Sequence, residues 1–203
     1  GYGYFLPWKS VMVPELEALG SEVKCFGARN NAAVLMRTRQ VARFLRDWKA
    51  DVLHCHLPLA GINGRLAGAV SGIPVVYSEH NEWKYYHPLS RWLNRLTWRW
   101  QDRVVAVSSG VADSIRGQVQ DKVALDVIPN GVDMEVFDPA RSDGNSVRRW
   151  LGIPVDSPVI GTVAVFRGQK QLHHWLQIAK ATVEVRPSTR FIVVGGGPLE
   201  ADL

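Results

Sequence analysis

The chain has 203 residues, of which 46% are apolar, and it carries 24 basic against 19 acidic side chains for a net charge of +5. This composition is typical of a soluble globular protein and can build a packed core, in one large domain or in parts of two. The positive charge favours contact with anions, but it does not choose between nucleic acid, phospholipid and nucleotide phosphates. No run approaches the ~20 apolar residues that cross a bilayer, and the start GYGYFLPWKS lacks the pattern of a signal peptide, so we expect a cytoplasmic protein.

Short apolar runs alternate with helix-like stretches along the chain. The predicted strands are EVKCFG, DVLHCH, PVVYSEH, RVVAVS, ALDVIP, VIGTVAVF and RFIVVG. The predicted helices lie near residues 36–49, 62–71, 88–101, 109–119, 145–151 and 172–185. Apolar strands separated by helices predict a doubly wound α/β fold with a parallel sheet, in which ligands bind at the carboxyl ends of the strands.

The two cysteines each lie inside a predicted strand. Neither Cys25 nor Cys55 has a second Cys at metal-ligand spacing, so we expect two buried free thiols in a reducing compartment. His54 and His56 flank Cys55 at a strand end. On a strand the two histidines share one face while Cys55 points to the other, and no third ligand is evident, so no metal site is predicted.

The predicted helix over residues 88–101 is both aromatic and basic. Its apolar face consists of Leu89, Trp92, Leu93, Leu96 and Trp100. Its arginines, four residues apart, are Arg91, Arg95 and Arg99. This pattern is typical of a helix that lies at an anionic membrane surface, and the alternative is a helix that packs its apolar face on the sheet with the arginines in water. Single-stranded nucleic acid also uses Arg with Trp, but no nucleic-acid motif is present, so no nucleic-acid partner is expected.

The alternation of strands and helices is interrupted after the stretch VIPNGVD. An Asn-Gly pair after an apolar run usually turns a hairpin, yet no returning strand follows, although an ordinary surface turn also fits the pair alone. We interpret Asn130, Gly131 and Asp133 as an exit between domains, within a hinge at residues 129–140. The predicted domains are residues 1–140 and 141–203.

Four stretches occur in an order and at a spacing that resemble a known family. They are VVAVSSGVADSI, VIPNGVD, GTVAVFRGQKQ and FIVVGGGPLEADL. Over most of its length the sequence resembles the retaining GT-B glycosyltransferases of the glycogen-synthase-like branch, family four. The resemblance implies an α/β fold of two Rossmann-like domains, a nearly complete N-terminal acceptor-side domain and a truncated C-terminal donor-nucleotide domain.

The same resemblance implies the activity. It implies a hexosyltransferase that moves a sugar from a nucleoside-diphosphate sugar to a glycan or lipid-linked acceptor with retention of configuration, without a metal or other cofactor. Several members of the family dock to membranes through this N-terminal domain, which implies a possible peripheral location at the inner face. Relatives also carry a Gly-rich loop before this segment and paired glutamates after it, so we expect a fragment that is inactive alone.

The resemblance assigns roles to individual residues. His80, at the end of a predicted strand, matches a histidine that contacts the transferred sugar. Lys170 matches a basic residue that reaches the donor diphosphate, where fixed cations stabilise the charge that builds on the leaving group. The Gly-rich turn at the donor nucleotide matches Gly195, Gly196, Gly197 and Pro198, although a structural turn between strand and helix would use the same residues.

Two departures from the family pattern concern donor binding. Val165 stands where the family usually has an Arg, and Arg167 is a candidate to supply that charge from two residues later. Gln171 replaces the Gly that usually follows the lysine. These departures motivate one alternative, a degenerate module that binds a nucleotide sugar without catalysis. A sugar-nucleotide epimerase on the same fold is a further alternative.

Overall fold

The computed structural model describes residues 1–119 and 123–203. Contacts divide the chain into two compact units, Gly1–Gly131 and Val132–Leu203. The predicted hinge, residues 129–140, extends across this division, and its action as a hinge stays a prediction. No helix in the described part of the chain is both long and apolar enough to cross a membrane.

The strands of the first unit are all parallel. They are β1 (Tyr2–Tyr4), β2 (Val23–Cys25), β3 (Leu53–His56), β4 (Val75–Glu79), β5 (Arg103–Ala106) and β6 (Ala124–Val127). β1 pairs with β2, and the other four form a sheet in the order β3-β4-β5-β6. The predicted parallel α/β fold is therefore confirmed, and β1 is a strand that the sequence analysis did not predict.

In the described part of the first unit, six α-helices connect these strands. They are α1 (Val13–Ala18), α2 (Asn31–Leu35), α3 (Thr38–Asp47), α4 (Pro58–Ser71), α5 (Pro88–Thr97) and α6 (Ser109–Arg116). α1 and α2 were not predicted, because five or six residues are too few to show a helical period. The local signal at α2 is its N-cap, where the Asn30 side chain accepts from the Ala33 backbone N–H at 2.9 Å.

Helix α4 packs closely on the sheet through three glycines. A Cβ on Gly61 would lie 2.6 Å from the Tyr77 ring, and one on Gly68 would lie 2.3 Å from the Val75 side chain. Between them, a Cβ on Gly64 would lie 2.2 Å from Sγ of Cys55. Because glycine has no side chain, the helix backbone can approach β3 and β4 closely. This packing holds the carboxyl ends of the two strands in position.

The second unit is a smaller α/β arrangement. Its strands β7 (Val159–Val163) and β8 (Arg190–Val194) are parallel and paired along their length. Its helices are α7 (Gly144–Trp150) and α8 (Leu172–Val185), and Trp175 of α8 packs edge-on against Phe191 of β8 with ring centroids 5.4 Å apart. Strand β6 ends at Val127 and the next strand begins at Val159, so VIPNGVD does not turn a hairpin, as predicted.

Candidate functional site

Three histidines form a row at the carboxyl ends of β3 and β4. The ring centroids of His54 and His56 are 4.4 Å apart, and those of His56 and His80 are 5.2 Å apart. Nδ1 of His56 lies 2.9 Å from Nε2 of His80, and Nε2 of His54 lies 2.9 Å from the Ser78 hydroxyl. The structure thus brings His80 together with two histidines for which the sequence analysis had only a metal site to consider.

The environments of His54 and His56 favour the neutral form of each ring. Partial burial, and then the nearby His80, lower the pKa of His54 below its usual value. Partial burial also lowers the pKa of His56, with smaller contributions from His54 and His80. Among residues 1–119 and 123–203, no group of three or more His, Cys, Asp or Glu side chains is placed to hold a metal ion.

The two cysteines differ in burial. Cys55 is buried and free, on the opposite face of β3 from His54 and His56, and burial raises the pKa of its thiol to about 12. Cys25 is only partly buried. The prediction of a buried free thiol is therefore right for Cys55 and wrong for Cys25, because Cys25 lies on the short strand β2, which is less covered than the four-stranded sheet.

Glu79, the residue before His80, is a fully buried carboxylate. One of its oxygens accepts from the backbone N–H groups of His80 at 3.0 Å and Asn81 at 3.3 Å. Three side chains also donate to the carboxylate; they are Tyr77, Trp83 and Tyr86. Five donors around one buried carboxylate fix the backbone that carries His80.

A buried arginine lies on the other side of Tyr77, and the sequence analysis missed it. The Arg65 side chain is fully buried and lies over the rings of Tyr77 and Trp98, at 5.2 and 5.7 Å. It donates to the side-chain oxygens of Asn94 and Gln101. Burial lowers the pKa of Arg65 to about 10. The signal in the sequence was a lone charge inside the otherwise apolar and glycine-rich helix α4.

The hydrogen bonds of Arg65 explain which face of helix α5 is buried. The predicted apolar face does not pack on the sheet. The side of α5 and the following turn that is buried carries Asn94, Thr97 and Trp98. Four apolar side chains of the predicted face are exposed by about half, namely Leu89 at 58%, Trp92 at 57%, Leu96 at 53% and Trp100 at 44%. The alternative in which this face packs on the sheet is therefore wrong for these four, because α5 turns Asn94 inward to bind the Arg65 guanidinium.

The arginines of α5 lie beside this exposed face. Arg95 and Arg99 are exposed and Arg91 is partly buried. Arg95 donates to the Gln118 side chain. The segment from His87 to Trp100 contains no acidic residue, so the positive charge of the helix is not compensated on the element itself. We call Leu89, Trp92, Leu96, Trp100 and the three arginines the α5 surface.

In the second unit, the two candidate donor cations follow β7. Arg167 and Lys170 are both exposed, and they are joined within one turn by the Lys170 N–H, which donates to the Arg167 carbonyl at 2.9 Å. Val165 is half-exposed and carries no charge to this position. Gln171 has φ +49° and ψ +40°, the left-handed conformation that glycine adopts without strain, and helix α8 begins directly after it.

The glycine turn follows β8, next to the end of β7. Gly195 and Gly197 have φ of +145° and +150°, and a Cβ on Gly195 would lie 1.9 Å from the Ala164 carbonyl oxygen. The Gly196 carbonyl accepts from the Phe166 N–H at 2.9 Å. The turn through Pro198 therefore needs glycine for its own backbone, and this turn and Arg167 lie at the adjacent carboxyl ends of two parallel strands. A role in donor binding stays a prediction.

The residues of the predicted exit lie in irregular backbone. Neither Asn130 nor Gly131 has a positive φ, so neither forms the left-handed turn for which this pair is known. Asp133 organises the next turn, where its carboxylate accepts from the backbone N–H groups of Glu135 at 2.9 Å and Val136 at 3.1 Å.

The family of the chain is shown by its match to a family sequence model. The sequence model described as Glycosyltransferase Family 4 matches residues 14–136, which is more than half of the chain and includes His54, His56, His80 and the α5 surface. The chain belongs to Glycosyltransferase Family 4. The row of histidines therefore lies in the part of the chain that the family model matches.

Individual curated proteins are similar to this chain at moderate identity. It is 30% identical over 171 residues to the Escherichia coli UDP-Gal:alpha-D-GlcNAc-diphosphoundecaprenol alpha-1,3-galactosyltransferase, covering 79% of this chain and 44% of the relative. It is 28% identical over 184 residues to the alpha-maltose-1-phosphate synthase of Mycolicibacterium smegmatis, covering 83% of this chain and 46% of the relative. The chain thus spans about half the length of the relatives that it matches.

The fold of this chain is also similar to that of solved structures. The crystal structure of Anabaena Alr3699/HepE in complex with UDP and glucose superposes with a TM-score of 0.79 at 19% identity, covering 98% of this chain and 55% of that one. At this identity the similarity shows the fold alone, and it confirms the GT-B type of α/β fold.

Proposed function

We propose that the protein transfers a hexose from a uridine-diphosphate sugar to a glycan or lipid-linked acceptor. The observation that carries this proposal is the family match over residues 14–136, joined to polar side chains at the carboxyl ends of β3 and β4, where α/β folds bind their ligands. The name of the Escherichia coli relative, which contains UDP-Gal, supports uridine diphosphate as the donor carrier. The Escherichia coli relative, which is named for a lipid diphosphate substrate, supports a lipid-linked acceptor.

In the proposed reaction the bond between the sugar C1 and the donor diphosphate breaks, and a bond from C1 to an acceptor oxygen forms. The diphosphate leaves with the electron pair, and the acceptor hydroxyl loses its proton. Arg167 and Lys170 stabilise the negative charge that develops on the leaving diphosphate, in place of a metal ion. His80 contacts the transferred sugar. We further propose that the configuration at C1 is retained, which proton NMR of the product would test through the coupling of its anomeric proton.

Substitution of Lys170 tests the donor assignment. Lys170→Ala should lower the rate of donor consumption about 100-fold, because one fixed charge at the leaving group is removed. Lys180→Ala is the matched control, since Lys180 is an exposed lysine on helix α8 of the same unit. Donor consumption is measured by release of UDP. Equal rates in the Lys170→Ala and Lys180→Ala variants would show that the diphosphate assignment is wrong.

We also propose that the protein works at the cytoplasmic face of an anionic membrane, on which the α5 surface docks. Two exposed tryptophans and two leucines beside three arginines combine the apolar area and positive charge that such helices use. Each basic residue near an anionic surface contributes about 1 kcal/mol. A lipid-linked acceptor would be presented at such a surface.

Vesicle sedimentation tests this docking. Changing Arg91, Arg95 and Arg99 together to Gln should weaken binding to phosphatidylglycerol vesicles about 100-fold, because roughly 3 kcal/mol of attraction is lost. The control changes the exposed Arg39, Arg43 and Arg46 of helix α3 to Gln, which alters the net charge by the same amount on another helix. Equal losses of vesicle binding in the two triple variants would show that binding depends only on net charge. Unaltered binding in the α5 variant would refute the docking surface.

A further inference from the structure

The bond between His56 and His80 constrains both rings. A neutral imidazole has one nitrogen that donates and one that accepts, and here Nδ1 of His56 faces Nε2 of His80 at 2.9 Å. One of these nitrogens must carry the proton and the other must not. The bond therefore couples the two tautomers, since a donor on one ring requires an acceptor on the other, and it holds the His80 ring in one orientation.

The distance also distinguishes a hydrogen bond from a shared metal ion. Two imidazole nitrogens on one tetrahedral zinc ion, each at 2.0–2.1 Å, lie about 3.3 Å apart. The separation of 2.9 Å matches a direct N–H···N bond instead. The row of histidines is thus a hydrogen-bonded arrangement in which His56 contacts His80 and His54 contacts Ser78.

The backbone on the His56 side is held in an unusual conformation. His56 ends β3, in register with Ser78 of β4. The next residue, Leu57, has φ +72° and ψ +150°, a region in which residues other than glycine are rare and strained. Helix α4 starts at once with Pro58, and the Leu57 carbonyl accepts from the Gly61 N–H at 2.8 Å. The chain therefore turns sharply at the point that places His56 against His80.

The backbone on the His80 side is held by the buried Glu79 carboxylate. Its bonds to the N–H groups of His80 and Asn81 fix the main chain but leave the His80 ring free to rotate. The bond from His56 removes that freedom. In the described part of the chain, no hydrogen bond reaches the other ring nitrogen, Nδ1 of His80, so this is the nitrogen left for a ligand.

We infer that His56 is a positioning residue, which sets the tautomer and orientation of His80 so that Nδ1 of His80 meets the transferred sugar. This inference rests on the proposed function for the identity of the ligand. The hydrogen bond and the tautomer do not depend on it. When Nδ1 of His56 donates to Nε2 of His80, Nδ1 of His80 carries the proton and donates to a sugar hydroxyl. When Nδ1 of His56 accepts instead, Nδ1 of His80 accepts from a sugar hydroxyl.

Nitrogen-15 NMR of the imidazole side chains tests the bond without any turnover. In the unaltered protein, the two ring nitrogens of His80 should show the separated shifts of one neutral tautomer. His56→Ala should average them, because both tautomers of His80 then become populated. His54→Ala is the matched control and should leave the His80 shifts unchanged, since His54 contacts Ser78. Unchanged His80 shifts in His56→Ala would overturn the inference.

Kinetics then separate positioning from structure. His56→Ala should lower kcat about 10- to 100-fold with a smaller change in KM for the donor, because the His80 ring is misplaced and not removed. His56→Asn, whose amide lies near the position of the imidazole Nδ1, should recover part of kcat. Equal kcat values in the Ala and Asn variants would contradict positioning. Absence of donor turnover in the unaltered full-length protein would refute the proposed function, and the NMR result would still decide the bond.

Discussion

Gln171 occupies a backbone conformation that normally belongs to glycine. Its φ of +49° costs a side-chain-bearing residue about 1–2 kcal/mol, and helix α8 begins directly after it. The sequence analysis identified Gln171 as a departure from the family and connected it with donor binding. The departure also affects the local backbone, because the glycine that the family usually has would adopt this φ without strain in the turn that carries Lys170.

Gln171→Gly should stabilise the protein by about 0.5–1 kcal/mol, since relief of the strained φ exceeds the entropy lost by glycine. Gln169→Gly is the matched control. Gln169 lies in the single turn of 3-10 helix at Gly168–Lys170, so glycine there should destabilise by about 0.5–1 kcal/mol. Urea unfolding followed by tryptophan fluorescence measures both. A destabilised Gln171→Gly variant would contradict the account of this turn.

Sequence reasoning found His80 at the residue scale but not what surrounds it. The position of His80 after an apolar run predicted a place at the carboxyl end of a strand, and β4 confirms it. The His56 bond depends on the register of β3 with β4, and the Glu79 cage depends on Trp83 and Tyr86 folding back over the strand end. Neither contact can be predicted from the local sequence.

The packing of helix α4 depends on glycines, which have no side chain and therefore contribute nothing to its apolar pattern. Glycine in a helix is unfavourable by about 1 kcal/mol relative to alanine, yet α4 has one glycine at each of three close contacts with β3 and β4. The loss in helix propensity is offset by close packing of the helix backbone on the sheet.

Gly64→Ala should destabilise the protein by about 1–3 kcal/mol, because the new methyl group would overlap with Sγ of the buried Cys55. Gly110→Ala, in the first turn of α6, is the matched control. The nearest atom to its Cβ is the Ser108 hydroxyl oxygen at 4.0 Å, so this variant should be neutral or gain up to about 1 kcal/mol. A Gly64→Ala variant as stable as Gly110→Ala would show that α4 can move away from the sheet.

The periodicity of α5 predicted its apolar face but not the environment of that face. Regular spacing of Leu and Trp shows that these side chains lie together, and the same spacing serves a buried core and an exposed docking surface. The orientation was decided by Arg65 on another helix, which needs the oxygens of Asn94 and Gln101. Such a long-range requirement cannot be deduced from α5 alone.

At the scale of the whole molecule, alternation of strands and helices was enough to predict the α/β class and the parallel pairing. All pairings in the described chain are parallel, as continuous apolar strands predict. The family resemblance supplied the GT-B type, which the superposition on Alr3699/HepE confirms. The short strand β1 and helices α1 and α2 escaped prediction, because three to six residues show no clear period.

Release of UDP from uridine-diphosphate sugars by the purified full-length protein is the decisive test of the proposed sugar transfer. UDP-glucose, UDP-galactose and UDP-N-acetylglucosamine are each incubated with the protein, with and without a lipid diphosphate sugar as acceptor, and free UDP is measured. We predict release from at least one donor, faster with acceptor and about 100-fold slower in Lys170→Ala. No release from any donor by a folded protein, or release that is indifferent to Lys170, would contradict it.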